Sequence, residues 1–500
     1  MPAKTPWWAP APSPPSARPG CRELGLALLV AVALFQSLRA VAAGRLLRLA
    51  CQDPANFDTF FQVAWNFQDS GVFRQTVHAG YADSWVWGGH LSLTFPLASL
   101  LLGLHPTPGF LQGLQLAAVS SAVVAGFLLG RAEARDAAGG VLGVLAVVGS
   151  PALLVVALAD YQDLVLCIPA ALWATVFIRR GWLVPSLLAC AAMAACREEC
   201  VLLVPLLAAA VPGPWRRRLL WALCGGLVAG TVLGVEIWLS LGVDRYPNPL
   251  AVVGPGSLQS LVGKLQLRGW MAQNLRTYWL LLEPLGLLLL LSPLHLLGVL
   301  SVLAVHAGDF FHASDWYSPL VHHFAPAVAM AIAGVVIGGA VPLRWLLARG
   351  RWGRALAWGA LAAVLAVSAW RVAGWHVFRG AAWHAPLTAQ PSAAVVPHPA
   401  WELARDLPPE AAVVARTRLM MAIAARRWAY DFEDSLASKT GGLGLACVHF
   451  ALVAEDDEPF QRAIRDVPDV RVLRRLEGFD LVSLRPLDRP LPGACHGGGR

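Results

Sequence analysis

The chain has 500 residues, 57% hydrophobic and only 14% charged, with a mean hydropathy of +0.57. Soluble domains carry about 25% charged residues, so one soluble core, a disordered chain, a coiled coil, collagen and a disulfide scaffold are excluded. The net charge of +8 reflects 39 Lys+Arg against 31 Asp+Glu. The arginines stand at the ends of apolar runs, as the positive-inside bias requires, and not in a patch suited to nucleic acid. Of the nine cysteines, none in a CxxC, Cys196 and Cys200 are spaced i, i+4 and read as small apolar helix residues.

Residues 1–23 read as a cytoplasmic tail, disordered over its Pro-, Ala- and Ser-rich part. The run from Leu24 to Gly44 follows Arg22. It is longer than a signal-peptide core and is expected to be a retained first span. His90 to Leu104 is shorter than the roughly 20 residues a span needs, and a crossing there would place Arg131 and Arg135 outside. Residues 45–108 are therefore expected to form one long external segment. Its amphipathic or re-entrant juxtamembrane helices would lie on the membrane, with Trp65, Trp85 and Trp87 as interfacial anchors.

Further spans are expected near 109–130, 138–159, 164–178, 182–196, 200–213, 219–243, 278–292, 294–306, 320–341 and 355–377. That makes about eleven crossings, with 200–213 and 294–306 short enough to be half-helices. Inner loops would hold Arg131/Arg135, Arg179/Arg180, Arg216 to Arg218 and Arg344 to Arg354. The transmembrane domain covers 24–377. After it the composition turns charged, and 378–485 reads as a small external α/β domain. Strands are expected at 411–415 and 445–454, helices at 401–407 and 419–425, and a hairpin turning at Glu477-Gly478. Residues 486–500 read as a disordered tail.

No nucleotide-binding loop, zinc signature or nucleophile elbow is present. Gly139-Gly140 and Gly338-Gly339 sit in apolar runs and suit helix packing. The acidic and His residues of the membrane half gather at external span ends: Asp53, Asp58, His90, Asp160, Asp163, Glu198, Glu199, Asp309, His312, Asp315, His322 and His323. Ionisable groups at membrane depth are costly and usually functional. Converging carboxylates and imidazoles suit general-base work or a divalent cation. Asp58 is either a catalytic base or a helix N-cap. Asp160-Tyr161-Gln162-Asp163 is either a site or the polar tip of a turn. Arg197-Glu198-Glu199 puts three charges where small polar residues would suffice to turn, which favours a site. His322-His323 opens an apolar run as an interfacial pair or as part of a site.

Taken in order, these landmarks resemble the domain of unknown function 2079, a family of bacterial multi-pass membrane proteins. The matching elements are Phe57-Asp58, Gln62-x-x-Trp65-Asn66, His90-x-Ser92 before Pro96, Asp160-Tyr161-Gln162, Arg197-Glu198-Glu199, and His323-Phe324-x-Pro326. Gln162 stands where the family has His, and Arg197 and Glu199 keep the charges of a Lys and an Asp. That family is in turn similar in hydropathy to the C-type glycosyltransferases. These use a polyprenyl-phosphate sugar donor and carry a carboxylate in a long first external loop.

The resemblance implies a bacterial inner-membrane protein, and the arginine distribution puts its N-terminus in the cytoplasm and its C-terminal domain outside. It implies transfer of a sugar from a polyprenyl-phosphate donor to an envelope acceptor. Asp58 would be the base and Arg197 the phosphate holder. Asp160, Asp163, Glu198 and Glu199 would position hydroxyls or a cation, with His90 and His323 as secondary contacts. The alternatives are a transporter or flippase, for which Glu236 within an apolar run is the main pointer, and a non-catalytic envelope scaffold.

Overall fold

The computed structural model describes residues 20–49, 54–71, 73–77, 92–158, 160–240, 285–305, 323–374, 397–440, 442–489, 491–492 and 495. Asp53, Trp85, Trp87, His90, Asp309, His312, Asp315 and His322 lie outside the described residues, as do residues 278–284 of the run expected to span at 278–292. In chain order the helices are α1 (Cys21–Leu47), α2 (Pro54–Ser70), α3 (Thr94–Leu102), α4 (Pro108–Ala134), α5 (Ala137–Val148), α6 (Pro151–Leu158), α7 (Cys167–Arg180), α8 (Leu183–Ala194), α9 (Leu203–Ala209), α10 (Trp215–Ser240), α11 (Pro293–Val305), α12 (Ala325–Leu347), α13 (Gly350–Gly374) and α14 (Pro399–Arg405).

Two compact units form. The first draws its described residues from Met1–Arg39, Gln115–Trp238 and Asn248–His384, the second from Ala40–Leu114, Leu239–Pro247 and Ala385–Arg500. The sequence division at 377/378 thus separates less than expected, because 40–114 clusters with the C-terminal region.

In the first, helical unit, α12 is buried along most of its length and packs against α5, α7, α11 and α13. Among the described residues, α1, α4, α10, α12 and α13 are long and apolar enough to cross a membrane. A sixth candidate is the pair α5 and α6, bent by 48°. The expected runs at 164–178, 182–196 and 294–306 form helices of 14, 12 and 13 residues, and 200–213 holds only the 7-residue α9. Polar turns at Asp163–Leu166 and Glu198–Cys200 take the residues that would have lengthened them.

Glycines set the closest approach. A Cβ on Gly130 would strike the Gly139 carbonyl and the reverse, and the same holds between Gly126 and Gly143, so α4 and α5 cross backbone to backbone. A Cβ on Gly338 would meet the Leu288 carbonyl. The helix-packing role expected for Gly139 and Gly338 is observed.

In the second unit, α3 has 9 residues and is about 14 Å long, too short to cross a bilayer. The strands are β1 (Val413–Ala415), β2 (Ala429–Asp431), β3 (Phe450–Ala454), β4 (Arg471–Leu476) and β5 (Phe479–Ser483), ordered β2-β1-β3-β5-β4. β1 runs parallel to β2 and β3, and β5 antiparallel to β3 and β4. Alternate residues split the core. Val413, Ala415, Leu452 and Leu481 face one cluster, while Val414, Ala451, Val453 and Val482 face the other. Helices α14 and α15 (Met420–Ile423) feed the first cluster, and α17 (Glu458–Arg465), which follows α16 (Leu436–Lys439), feeds the second.

The expected hairpin is present: Glu477 and Gly478 have φ of 47° and 82°, the two positive values a type I′ turn requires. The strand expected over 445–454 is shorter. Gly444–Cys447 is a 3₁₀ turn, entered through Gly444 at φ 54°, and Cys447 is joined to Cys495 in a disulfide.

Candidate functional site

The sequence-predicted site residues fall in both units. In the second, Asp58 is the fifth residue of α2, a full turn past its start, so it is not the N-cap of that helix. It is fully buried, as are Phe57, Thr59, Phe60, Phe61, Gln62, Val63 and Ala64. α2 is thus covered by protein on every side over this stretch. The cause is the C-terminal region, which packs α15 against α2.

The Gln62-x-x-Trp65-Asn66 element makes the connection. The Gln62 amide donates to Thr76 Oγ1 at 3.0 Å and to the Arg426 carbonyl at 3.2 Å, and its Oε1 accepts from Thr76 N at 2.7 Å. Thr76 Oγ1 donates to the Ala429 carbonyl at 2.7 Å, and Asn66 donates to the Arg74 carbonyl at 2.9 Å. Arg427 pairs with Asp69 at 3.1 Å. Asp58, Gln62 and Asn66 are spaced i, i+4, i+8 and form a buried polar stripe along α2. The side chains that lock the helix therefore also fix the rotation that aims Asp58.

In the helical unit, α7, α8 and α9 run back and forth, and their turns hold the second group. Arg197 and Asp163 are each about 1% exposed, with Arg197 Nε 2.9 Å from Asp163 Oδ1. Arg197 Nη2 donates to Gln162 Oε1 at 3.2 Å, and Glu199 Oε1 stands 3.9 Å from Nη1. A buried guanidinium is retained at acceptable cost only where acceptors fix it, and here carboxylates do so. Two donors here have no hydrogen-bond partner among the described residues, Arg197 Nη1 and Gln162 Nε2. Both suit an acceptor oxygen. Asp160 and Tyr161 are buried in the same turn. Glu198 and Glu199 are half-buried, and His323 is half-buried just before α12, which also contacts the 163–166 turn.

Gln115 was not singled out from the sequence. Its Oε1 accepts from Gln162 N at 2.8 Å and its amide donates to the Ala157 carbonyl at 3.3 Å, so it holds the Asp160–Asp163 turn. The available signal was a pair of amides, Gln112 and Gln115, inside a largely apolar run. Among the described residues, no group of three or more His, Cys, Asp or Glu side chains is placed to hold a metal ion.

The other ends of these helices carry the arginines. Glu133 at the end of α4 is forked by Arg179 at the end of α7, and the Glu133 carbonyl accepts from Arg344 of α12 at 3.0 Å. Arg179 also donates to the Ala210 carbonyl at 2.9 Å, and Arg131 pairs with Glu23 at 3.4 Å. The start of α1 and the ends of α4, α7, α9 and α12 therefore gather on one side of the unit, as the alternation of arginine-bearing loops predicts.

No family model matches the chain, and no curated protein matches it. The resemblance to the domain of unknown function 2079 thus rests on its motifs alone. Among solved structures, the chain is similar to the crystal structure of ArnT from Cupriavidus metallidurans bound to undecaprenyl phosphate. The identity is 15% and the TM-score 0.50, over 91% of this chain and 98% of that one. At that identity the likeness is one of fold, and it spans nearly the whole of both chains.

Proposed function

We propose that this protein is a membrane glycosyltransferase-like enzyme that takes its sugar from a polyprenyl-phosphate donor and transfers it to an envelope acceptor on the external face. The observation that carries this reading is the end-to-end fold likeness to ArnT, a C-type glycosyltransferase fold solved with undecaprenyl phosphate bound. In this reading the chain crosses a bacterial inner membrane about eleven times, its shorter helices included. The arginine-bearing ends face the cytoplasm, and the C-terminal region lies outside. The Cys447–Cys495 disulfide supports that side, since such bonds persist in oxidising compartments.

Asp58 acts as the general base and takes the proton of the acceptor hydroxyl. A carboxylate held by a locked helix is suited to that, since proton transfer needs a fixed heavy-atom distance. Arg197 meets the donor phosphate through Nη1. Asp163 already neutralises part of its charge, so its role is directional more than coulombic. Gln162 Nε2 offers a second donor to the same oxygens. Asp160, Glu198 and Glu199 accept from sugar hydroxyls or share a divalent cation, and His323 and His90 are secondary contacts.

The test uses the full chain in detergent with bacterial membrane lipid as acceptor and a panel of polyprenyl-phosphate sugars labelled in the sugar. Label moving from at least one donor to the lipid fraction is the expected result. Failure of the whole panel, with undecaprenyl phosphate also unable to bind, would overturn the reading.

A further inference from the structure

The end of the helical unit opposite Arg197 holds an arginine of another kind. Asp163 lies just before α7 and pairs with Arg197, whereas Arg179 closes α7 and bonds to Ala210, so α7 separates the two ends by about 21 Å. At the Arg179 end the cations already described have partners: Glu133 for Arg179, the Glu133 carbonyl for Arg344 and Glu23 for Arg131. Arg217 differs. It is 6% exposed, its Nε has no hydrogen-bond partner, and no carboxylate pairs with it among the described residues.

Its place in the fold points to what it meets. Arg217 lies in the first turn of α10, a 26-residue helix with Arg216 and Arg218 beside it and no acidic residue in that turn. The helix N-terminus already carries a partial positive charge of about half an elementary unit, so three cations there stand against the field. The preceding turn passes through Gly213 at φ +129°, and a Cβ at that position would lie 3.2 Å from Arg217 Cδ and 3.7 Å from Nη1. The guanidinium therefore folds back along residues 212–214 towards the start of the helix. Behind it, α10 packs on α9 at Gly225, where a Cβ would meet Ala208 at 2.8 Å.

A positive-inside bias accounts for exposed arginines such as Arg216 and Arg218. It gives no reason to bury one without a counter-charge. An anion at this turn would supply it, and would meet the field of the helix end with the right sign.

We propose that residues 212–218 form a phosphate-binding site, distinct from the donor site. Arg217 grips two phosphate oxygens at the N-terminus of α10, and Arg216 and Arg218 close the rim. The phosphate is carried by an anionic phospholipid or is free in solution. A guanidinium fork matches phosphate geometry, which an ammonium does not.

Full-length protein in neutral detergent is titrated separately with phosphatidylglycerol, phosphatidylcholine and inorganic phosphate, and binding is read from the shift of thermal unfolding. The wild type is expected to bind phosphatidylglycerol or inorganic phosphate ahead of phosphatidylcholine. Phosphatidylglycerol alone identifies a lipid headgroup, and inorganic phosphate alone a soluble anion. Arg217→Gln should weaken binding by about tenfold or more, the scale of a lost charge-assisted hydrogen bond. Arg217→Lys should fall between the two, and Arg349→Gln, at an exposed site, should match the wild type. No preference of the wild type for either anion would overturn the proposal, as would an affinity of Arg217→Gln within twofold of wild type. Should Arg217→Gln not fold, Arg217→Lys decides, and wild-type affinity in that variant would overturn the fork.

Discussion

The two units hold their charged side chains by different means. In the helical unit, Arg197 meets Asp163 with both about 1% exposed, and Arg179 is forked by Glu133, itself 7% exposed. In the C-terminal region Arg416 with Asp457 is as enclosed as Arg179 with Glu133, but other ion pairs lie near water: Arg474 is 39% exposed beside Glu402, and Arg475 is 63% exposed beside Asp480. Where that region does bury a guanidinium, Arg426, it satisfies it with the carbonyls of Ile423, Pro408 and Ala404. A bundle surrounded by lipid has no water to solvate a charge, so each buried cation needs a fixed partner. A sheet in water can leave its charges to the solvent and rely on two apolar layers and a disulfide.

The largest effect should come from removing a buried partner. Asp163→Ala removes the carboxylate hydrogen-bonded to Arg197, leaving only the looser Glu199 at 3.9 Å, and should cost about 3 kcal/mol, read as a fall in the unfolding temperature of the full chain in detergent. Replacing both members, as Asp163→Leu with Arg197→Met, should restore much of that loss. A single variant as stable as wild type would mean that the pair does not hold the two turns together.

The disulfide comes next. Cys447 and Cys495 enclose a separation of 48 residues, for which the chain-entropy model gives about 4 kcal/mol at most. Cys447→Ser should lower the unfolding temperature of the C-terminal region and abolish its sensitivity to reductant. Unfolding that ignores reductant in the wild type would contradict this.

A smaller effect belongs to His398, whose Nδ1 accepts from Ala400 N at 3.2 Å and caps α14. Burial, helped by the nearby Arg418 charge, depresses its pKa below the ordinary histidine value. The unfolded chain, near pKa 6.5, then takes up its proton first as the pH falls. Stability is held above that value and lost as the pH drops through it towards the folded value. His398→Asn, which can cap without titrating, should flatten the pH dependence of unfolding between pH 7.5 and 5. An unchanged slope would remove His398 from the explanation. Smallest of all, Arg474→Ala should change stability by less than about 1 kcal/mol, as exposed pairs do.

Much of this comparison is legible in the sequence because it rests on local patterns. Glu477-Gly478 announces its hairpin through turn chemistry, and the arginine-bearing loops announce which helix ends gather together. Gly139 and Gly338 read as packing sites because a glycine in an apolar run has little other use. What escaped the sequence is non-local. β2 is three residues long and exists because β1 offers it a parallel edge. Cys447 and Cys495 are paired by the fold and by no spacing rule. The enclosure of α2 is also non-local: only the packing of α15 and the Gln62–Thr76 hydrogen bonds show it. Asp160, Asp163, Arg197 and Glu199 were legible as a group, but the pairing of Arg197 with Asp163 depends on α7 and α8 being antiparallel. Gln115 went unnoticed because nothing in the sequence sets it apart from Gln112 in the same apolar run.

The transferase reading is tested most directly at Asp58. Asp58→Asn is nearly isosteric, so α2 should stay locked and undecaprenyl phosphate should bind as it does to wild type. Single-turnover transfer of labelled sugar from the polyprenyl-phosphate donor should then fall by about 10²–10⁴-fold, the usual cost of losing a general base. Transfer at the wild-type rate, with donor binding intact, would contradict the assignment of Asp58 as the base.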